Sequence, residues 1–187
     1  MNVVIFGPPG AGKGTQAQNI VKKFNLYQVS TGDLLRTEIK NKSEIGKEIE
    51  EIISKGDFAT DDIVNRLIAN IIFDPKKKNK LIFDGYPRSL SQAKNLDVLL
   101  KNSNQKIDFI FFLNVNKDTI IKRIERRKIL EQRSDDDLST ILKRYDTYME
   151  TTRPVLDFYS KNPNFYEIDG SEEIEVISSK IEQIITL

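Results

Sequence analysis

Short apolar runs alternate along the chain with longer segments whose apolar residues recur every three or four positions. The runs are rich in β-branched and aromatic residues and have the length of buried strands. They lie at residues 2–6, 27–29, 81–83, 109–115 and 165–168. The longer segments are typical of helices that bury one face. Their apolar stripes include Ala17, Ile20, Val21 and Phe24; Leu96, Leu99 and Leu100; Leu138, Ile141, Leu142, Tyr145, Tyr148 and Met149; and Ile174, Ile177, Ile181, Ile184 and Ile185.

The predicted strands carry apolar residues at consecutive positions, as strands covered on both faces do. Strands that alternate with helices favour a parallel sheet, because each helix returns the chain to the start of the next strand. The sequence therefore predicts an α/β fold, in which a five-stranded parallel sheet is covered by helices on both faces.

Two segments depart from this alternation. Residues 30–59 have helical spacing without a strand and are bounded by Gly32 and Gly56, which indicates a small helical insert. Residues 127–137 are polar and charged, and they are too short to fold independently. We interpret both segments as covers over a site. The core domain then comprises residues 1–29, 60–126 and 138–187.

The composition excludes several classes of function. A length of 187 residues suits one domain. Lysine and arginine number 29 against 28 aspartates and glutamates, so the net charge of +1 gives no field for non-specific binding of nucleic acid. The chain has no cysteine and no histidine, so we expect no disulfide, no thiol or imidazole catalysis and no zinc. Catalysis would have to use carboxylates, lysine, arginine, hydroxyls or bound ions.

The longest apolar stretch, residues 109–113, is far shorter than the roughly 20 residues that cross a bilayer. The amino end shows neither a basic leader nor a small-residue cleavage site, which favours the cytoplasm. Because the charge is nearly balanced and no adhesive surface is evident, we expect a monomer without membrane or nucleic-acid partners.

A glycine-rich segment at residues 7–15 joins the first predicted strand to the first predicted helix. Its glycines let backbone N–H groups turn toward a polyphosphate, and the helix amino terminus adds partial positive charge. Lys13 adds a full charge, so the segment is typical of a phosphate-binding loop, or P-loop. It departs from the general pattern because Gly14 stands between the lysine and the hydroxyl of Thr15. The predicted phosphate-contacting residues are Gly10, Ala11, Gly12, Lys13, Gly14 and Thr15.

A second motif, Asp-Gly-Tyr-Pro-Arg at residues 84–88, follows a predicted buried strand. Ligands gather at the carboxyl ends of strands in open α/β sheets. Asp84 could orient Mg²⁺ through water, which suits an ion that loses its water reluctantly. Arg88 could clamp a phosphate, and Gln92 offers both a donor and an acceptor to a base edge. The alternative interpretation is a simple turn at Asp84 and a helix start at Pro87.

Taken in order, these motifs resemble those of short-lid adenylate kinases, which are nucleoside monophosphate kinases. The resemblance spans nearly the whole chain. It rests on Gly-Lys-Gly-Thr at residues 12–15, Ser-Thr-Gly-Asp-Leu-Leu-Arg at 30–36, Asp-Gly-Tyr-Pro-Arg at 84–88, and the spacing of Arg127, Arg133 and Arg144. It implies a P-loop fold with an AMP-binding insert at residues 30–59 and a short lid at residues 127–137.

The resemblance also implies residue roles. ATP binding would fall to the P-loop and Arg127, while Arg36 and Arg88 would hold the phosphate of AMP. Thr31 together with Gln92 would separate adenine from a pyrimidine. The other implied AMP-binding residues are Asp57, Phe58, Ala59, Gly85, Tyr86, Pro87, Arg133 and Arg144.

The implied reaction is reversible, magnesium-dependent transfer of a phosphoryl group from ATP to AMP, giving two ADP without a covalent enzyme intermediate. The acceptor phosphate is already an anionic nucleophile, so no general base is needed. The reaction requires positioning and charge stabilisation. The implied catalytic residues are Lys13, Arg88, Arg123, Arg133 and Arg144, with Mg²⁺ near Asp84.

Two alternatives stay open at this point. A UMP/CMP kinase is the nearest one. A GTPase-like nucleotide switch, from another class, would need an Asn-Lys-x-Asp guanine motif. The nearest string, at residues 116–118, lacks the spacer.

Overall fold

The computed structural model describes residues 1–54, 59–131 and 138–187, with the backbone alone at residues 53, 54, 127–131 and 138–141. Its strands are β1 (Val3–Phe6), β2 (Tyr27–Ser30), β3 (Leu81–Asp84), β4 (Phe109–Asn114) and β5 (Phe165–Asp169). They form one five-stranded sheet in the order β2-β3-β1-β4-β5, and every neighbouring pair is parallel. This confirms the predicted α/β fold.

Helices connect the strands. They are α1 (Lys13–Phe24), α2 (Thr31–Lys40), α3 (Glu44–Ser54), α4 (Asp61–Ile72), α5 (Leu90–Asn102), α6 (Lys117–Glu131), α7 (Leu138–Thr147), α8 (Arg153–Tyr159) and α9 (Ile174–Thr186). A turn of 3-10 helix, Pro75–Lys77, follows α4, and a π-helical turn, Tyr148–Thr152, joins α7 to α8. Among the described residues, no helix combines the length and the apolar character needed to span a membrane.

Both faces of the sheet are buried under helices. Val3 and Ile5 of β1 pack into an apolar layer with α1, α6 and α9. Val4 and Phe6 point the other way and pack with α4, α5 and α8. Because successive side chains of a strand alternate between its faces, every position of β1 must be apolar. This is the physical reason for the unbroken apolar runs in the sequence.

Helices α2 and α3 occupy most of the segment that we predicted as an insert. A small apolar cluster, in which Ile49 of α3 meets Ile63 and Leu67 of α4, joins that segment to the core. Strand β2 continues to Ser30, one residue further than predicted. The assignment of residues 30–59 as an insert stays a prediction.

Two helices, α4 and α8, were not among the predicted elements. The signal for α4 is present, because Thr60 caps it and Ile63, Leu67 and Ile71 recur on its buried face.

The predicted stripe that ended at Met149 is wrong at that residue, which is exposed, whereas Tyr148 is buried. Helix α7 ends at Thr147, so the α-helical spacing of the predicted stripe does not extend to Met149, which lies in the π-helical turn.

A buried polar side chain fixes the edge of the sheet where the strands begin. Asn2 is 0% exposed. Its side-chain nitrogen donates to Gln105 Oε1 at 3.2 Å and to the Lys106 carbonyl at 2.9 Å, and its oxygen accepts from the Leu81 amide at 3.2 Å. Asn2 thereby supplies hydrogen bonds that an apolar residue could not replace.

We expect Asn2→Leu to destabilise the fold by about 3 kcal/mol, because it leaves the buried Leu81 amide without its partner and removes the hydrogen bonds to Gln105 and Lys106. Denaturant unfolding would measure the change. Asn102→Leu, at the exposed end of α5, is the matched control and should change stability by less than about 0.5 kcal/mol. Equal unfolding midpoints for the two variants would contradict the importance of these bonds.

Candidate active site

The P-loop lies between the end of β1 and the start of α1, as the sequence predicts. Gly12 is the N-cap of α1 and has φ of +90°, a left-handed conformation that suits glycine. No side chain caps this helix end, and a Cβ at Gly12 would meet no atom within 4 Å. The Ala11 amide donates to the Pro8 carbonyl at 3.1 Å and so holds the shape of the loop. The amino terminus of α1 therefore opens onto space that suits an anion.

Lys13 lies over its own loop. Its Nζ donates to the Gly7 carbonyl at 2.8 Å and to the Pro8 carbonyl at 3.0 Å. These contacts place the ammonium group within the loop, where a bound polyphosphate would lie. Thr15 follows on the first turn of α1, with an exposed side chain.

Asp84 ends β3 directly beside the P-loop strand, because it is in register with Ile5 of β1. Its Oδ2 accepts a hydrogen bond from Gln28 Nε2 at 3.1 Å. The same oxygen lies 3.6 Å from where a Cβ on Gly14 would stand. The glycine that departs from the general P-loop pattern therefore leaves room between the loop and this carboxylate.

Residues 85–89, which we call the acceptor loop, follow β3. Two side chains donate hydrogen bonds to one carbonyl group of this loop. The Gly85 carbonyl accepts from Thr31 Oγ1 at 3.0 Å and from Arg88 Nε at 2.8 Å. A Cβ at Gly85 would stand 3.0 Å from the Arg88 guanidinium, and the φ of +78° independently favours glycine. The structure thus brings together three of the predicted AMP-binding residues.

Arg88 has a charged environment that suits a phosphate. Although its side chain is exposed, desolvation by the surrounding protein lowers its pKa, the nearby Asp84 raises it and the nearby Arg144 lowers it. An arginine stays protonated despite such shifts. Two guanidinium groups in mutual proximity repel each other, and an anion between them would relieve that repulsion.

The side-chain amide of Gln92, on the first turn of α5, contacts two groups. Its Oε1 accepts from the Arg88 amide at 2.7 Å, and its Nε2 donates to Asp61 Oδ1 at 2.6 Å. Ser89 Oγ donates to the other oxygen of Asp61 at 2.9 Å. The sequence reasoning missed Asp61, and a prediction of the helix that begins there would have drawn attention to it.

Tyr86 and Pro87 are buried next to these residues. The Tyr86 hydroxyl donates to Asn65 Oδ1 at 2.7 Å, and desolvation is the main reason that its pKa is raised to about 12. With only 1% of Tyr86 exposed, its side chain anchors the loop to α4, and a ligand would meet its backbone. Ala59 is half-buried and packs against the same apolar layer.

The predicted phosphate-binding arginines lie in different places. Arg123 packs against the P-loop, with weak hydrogen bonds to the Ala11 carbonyl at 3.4 Å and the Glu172 carbonyl at 3.3 Å. Arg144, on α7, is half-buried near Arg88. Arg36 is exposed on α2 and pairs with Asp33 at 2.5 Å.

Other predicted residues cannot be placed as side chains. Arg127 is one turn beyond Arg123 on α6, where the backbone alone is described. Asp57, Phe58 and Arg133 lie outside the described residues. Their roles stay predictions.

The π-helical turn contributes a contact that the sequence did not indicate. Thr152 Oγ1 donates to the Arg88 carbonyl at 3.1 Å. In the same turn the Tyr148 hydroxyl is buried without a hydrogen-bond partner among the described residues, and burial raises its pKa. The turn therefore supports the acceptor loop from the side of α7.

The P-loop and the acceptor loop leave neighbouring strands at the same edge of the sheet, and each presents cationic groups suited to a phosphate. Such an arrangement defines a P-loop phosphotransferase that holds two phosphorylated ligands. The comparisons with known proteins agree. The family model described as adenylate kinase matches residues 5–164, and the chain belongs to the adenylate kinase family.

Individual relatives cover almost the whole chain. It is 48% identical to an adenylate kinase of Pelagibacter ubique, with 99% of each chain covered. It is 43% identical to an adenylate kinase of Azobacteroides pseudotrichonymphae, over 97% of this chain and 95% of the relative. It is 33% identical to one of Thermosipho africanus, again with 99% of each chain covered. The predicted family is confirmed.

Proposed function

We propose that this chain catalyses the reversible transfer of a phosphoryl group from ATP to AMP, giving two ADP. The observation that carries the proposal is the adjacency of the two loops. Lys13 and the amino terminus of α1 form a polyphosphate site after β1, and Arg88 lies beyond β3, the strand beside it. Family membership supports the same reaction and does not favour a UMP/CMP kinase or a GTPase-like switch.

The chemistry follows from the charges. The phosphate of AMP attacks the terminal phosphorus of ATP in line, the bond to the bridging oxygen breaks, and ADP leaves. No proton has to be removed from the acceptor, because its oxygens are already anionic. Lys13, Arg88, Arg123 and Arg144 would oppose the repulsion between the two polyanions and stabilise charge in the transition state. Arg133 is proposed to join them because its spacing from Arg127 and Arg144 resembles that of the lid arginines of the family.

Magnesium is proposed as the metal that accompanies ATP. Asp84 fits this role, because it is a carboxylate at the edge of the P-loop and Gly14 leaves space beside it. Mg²⁺ prefers oxygen ligands and keeps several waters, so Asp84 would act through water. When bound, the ion neutralises phosphate charge. Asp84 would orient the water molecules bound to the ion.

Two segments are proposed to exclude water, which would otherwise compete with AMP for the phosphoryl group. One is the AMP-binding insert, residues 30–59, and the other is the lid, residues 127–137. We also propose that the chain acts as a monomer in the cytoplasm. The near balance of 29 basic and 28 acidic residues supports the monomer.

The proposed function predicts the outcome of an acceptor panel. With ATP as donor and Mg²⁺ varied, we expect AMP to give ADP with a kcat/KM at least about a hundredfold above those of CMP and UMP, because a site built on hydrogen bonds rejects a base that leaves them unmade. A coupled assay would measure this. Formation of no ADP from ATP and AMP at any Mg²⁺ concentration would overturn the proposal, and a preference for CMP or UMP would indicate the pyrimidine kinase instead.

A further inference from the structure

The side-chain amide of Gln92 is held in one orientation by two independent neighbours. The Arg88 amide, 2.7 Å from Oε1, can only donate a hydrogen bond. The Asp61 carboxylate, 2.6 Å from Nε2, can only accept one when ionised. Turning the amide by 180° would place its N–H groups against the Arg88 N–H and its oxygen against the Asp61 carboxylate. Donor would then face donor and acceptor would face acceptor. The positions of oxygen and nitrogen are therefore dictated by chemistry.

Asp61 has a second hydrogen-bond donor besides Gln92. Ser89 Oγ donates to its second oxygen at 2.9 Å. Asp61 also lies in the first turn of α4, where the helix dipole favours a negative charge. The carboxylate is half-buried, so its hydrogen bond to Gln92 is stronger than a fully exposed one would be. It is a firm support for the amide.

Orientation of this amide matters for the choice between purine bases. After these two contacts, Gln92 keeps one N–H and one lone pair for a ligand, with only 5% of the residue exposed. Adenine offers a donor, its amino group, beside an acceptor nitrogen. Guanine offers the carbonyl oxygen, an acceptor, at the place of that amino group. An amide that cannot turn can therefore form hydrogen bonds with one of these bases and not with the other.

We propose that Asp61 is a specificity-determining residue of the acceptor site, which excludes guanine by locking the orientation of the Gln92 amide. It is a positioning residue, since it acts through Gln92. The inference rests on the proposed function and on the predicted contact between Gln92 and the base of AMP. Removing the carboxylate leaves only the Arg88 amide to resist rotation, so guanine becomes easier to accommodate.

The test is the ratio of kcat/KM for AMP to that for GMP in Asp61→Asn. We expect this ratio to fall about tenfold, on the scale of losing one charge-assisted hydrogen bond, with KM for ATP unchanged. The matched control is Asp62→Asn, which removes the same charge from the same helical turn. Asp62 is exposed and pairs with Arg66 at 3.1 Å, so its substitution should leave the ratio within about twofold of the starting protein.

Two further variants distinguish a failure of the role of Asp61 from a failure of the proposed function. Ser89→Ala removes the hydrogen bond to Asp61 and also the cap of α5, in which Ser89 Oγ accepts from the backbone amide of Gln92 at 3.2 Å. It should lower the ratio by about threefold even if Asp61→Asn fails to fold. Gln92→Leu should lower it as well.

If Gln92→Leu lowers the ratio while Asp61→Asn and Ser89→Ala do not, the locking role of Asp61 is wrong and the base contact stands. If activity falls in Asp61→Asn at an unchanged ratio, Asp61 is merely structural and the proposal is overturned. If no variant changes the ratio, the contact between Gln92 and the base is also wrong.

Discussion

Replacing Arg88 by alanine is expected to lower kcat/KM for AMP by at least about a hundredfold while the protein remains folded. The loss is on the scale of a removed transition-state charge contact. Stability should change little, because the Arg88 side chain is exposed and its Nε contact with the Gly85 carbonyl can be replaced by water. Steady-state kinetics at saturating ATP, together with a thermal unfolding curve, would measure both quantities.

Two variants make this result specific. Arg88→Lys keeps a charge but loses the planar fork that matches two phosphate oxygens, so its activity should fall between those of the starting protein and the alanine variant. Arg66→Ala removes an exposed arginine of α4 that pairs with the exposed carboxylates of Asp62 and Glu48, and it should retain full activity. Full activity in Arg88→Ala would show that the acceptor phosphate binds elsewhere.

The parts of the site that the sequence predicted are those encoded within a few residues. The glycines of the P-loop, Lys13 and the helix that follows lie together in the chain, so their local spacing indicates the loop and its ligand. The strands were predicted for a similar reason. Burial on both faces requires consecutive apolar residues, and that pattern is visible without knowledge of what covers the strand.

Contacts between distant segments were not predictable in this way. The Thr152 hydroxyl reaches Arg88, 64 residues earlier in the chain, and the Gln92 amide reaches Asp61, 31 residues earlier. A threonine or an aspartate at a helix end has an adequate local role as a cap or a dipole partner, so its sequence context does not reveal a second role. The π-helical turn likewise depends on how α7 and α8 pack, not on a local motif.

The adjacency of the P-loop and the acceptor loop was predictable only in part. Alternating strands and helices predict a parallel sheet, but they do not by themselves set the order of its strands. The site needs β1 and β3 to be neighbours, since their carboxyl ends carry the P-loop and Asp84. The structure supplies that order by placing β2 at the edge and β3 beside β1. The resemblance in sequence was therefore necessary to connect the two motifs before the fold was known.

Lys13→Ala should lower turnover by about a hundredfold to a thousandfold, the scale for losing a preorganised contact to developing charge. Its stability should be nearly unchanged, because Nζ contacts the Gly7 and Pro8 carbonyls of the loop and is not part of the apolar core. Turnover and thermal stability should be measured side by side. An unfolded variant would show that the lysine holds the loop together, and its loss of activity would then carry no information about phosphate binding.

The matched control is Lys22→Ala, which removes an exposed lysine from the last turn of the same helix. It should keep full turnover, because the general electrostatic field of α1 changes by the same charge while the P-loop is untouched. Equal losses in the two variants would mean that net charge, and not the position of Nζ, assists the reaction. A loss confined to Lys13→Ala, with unfolding temperatures that agree, would localise the contribution to the one ammonium group that lies within the loop.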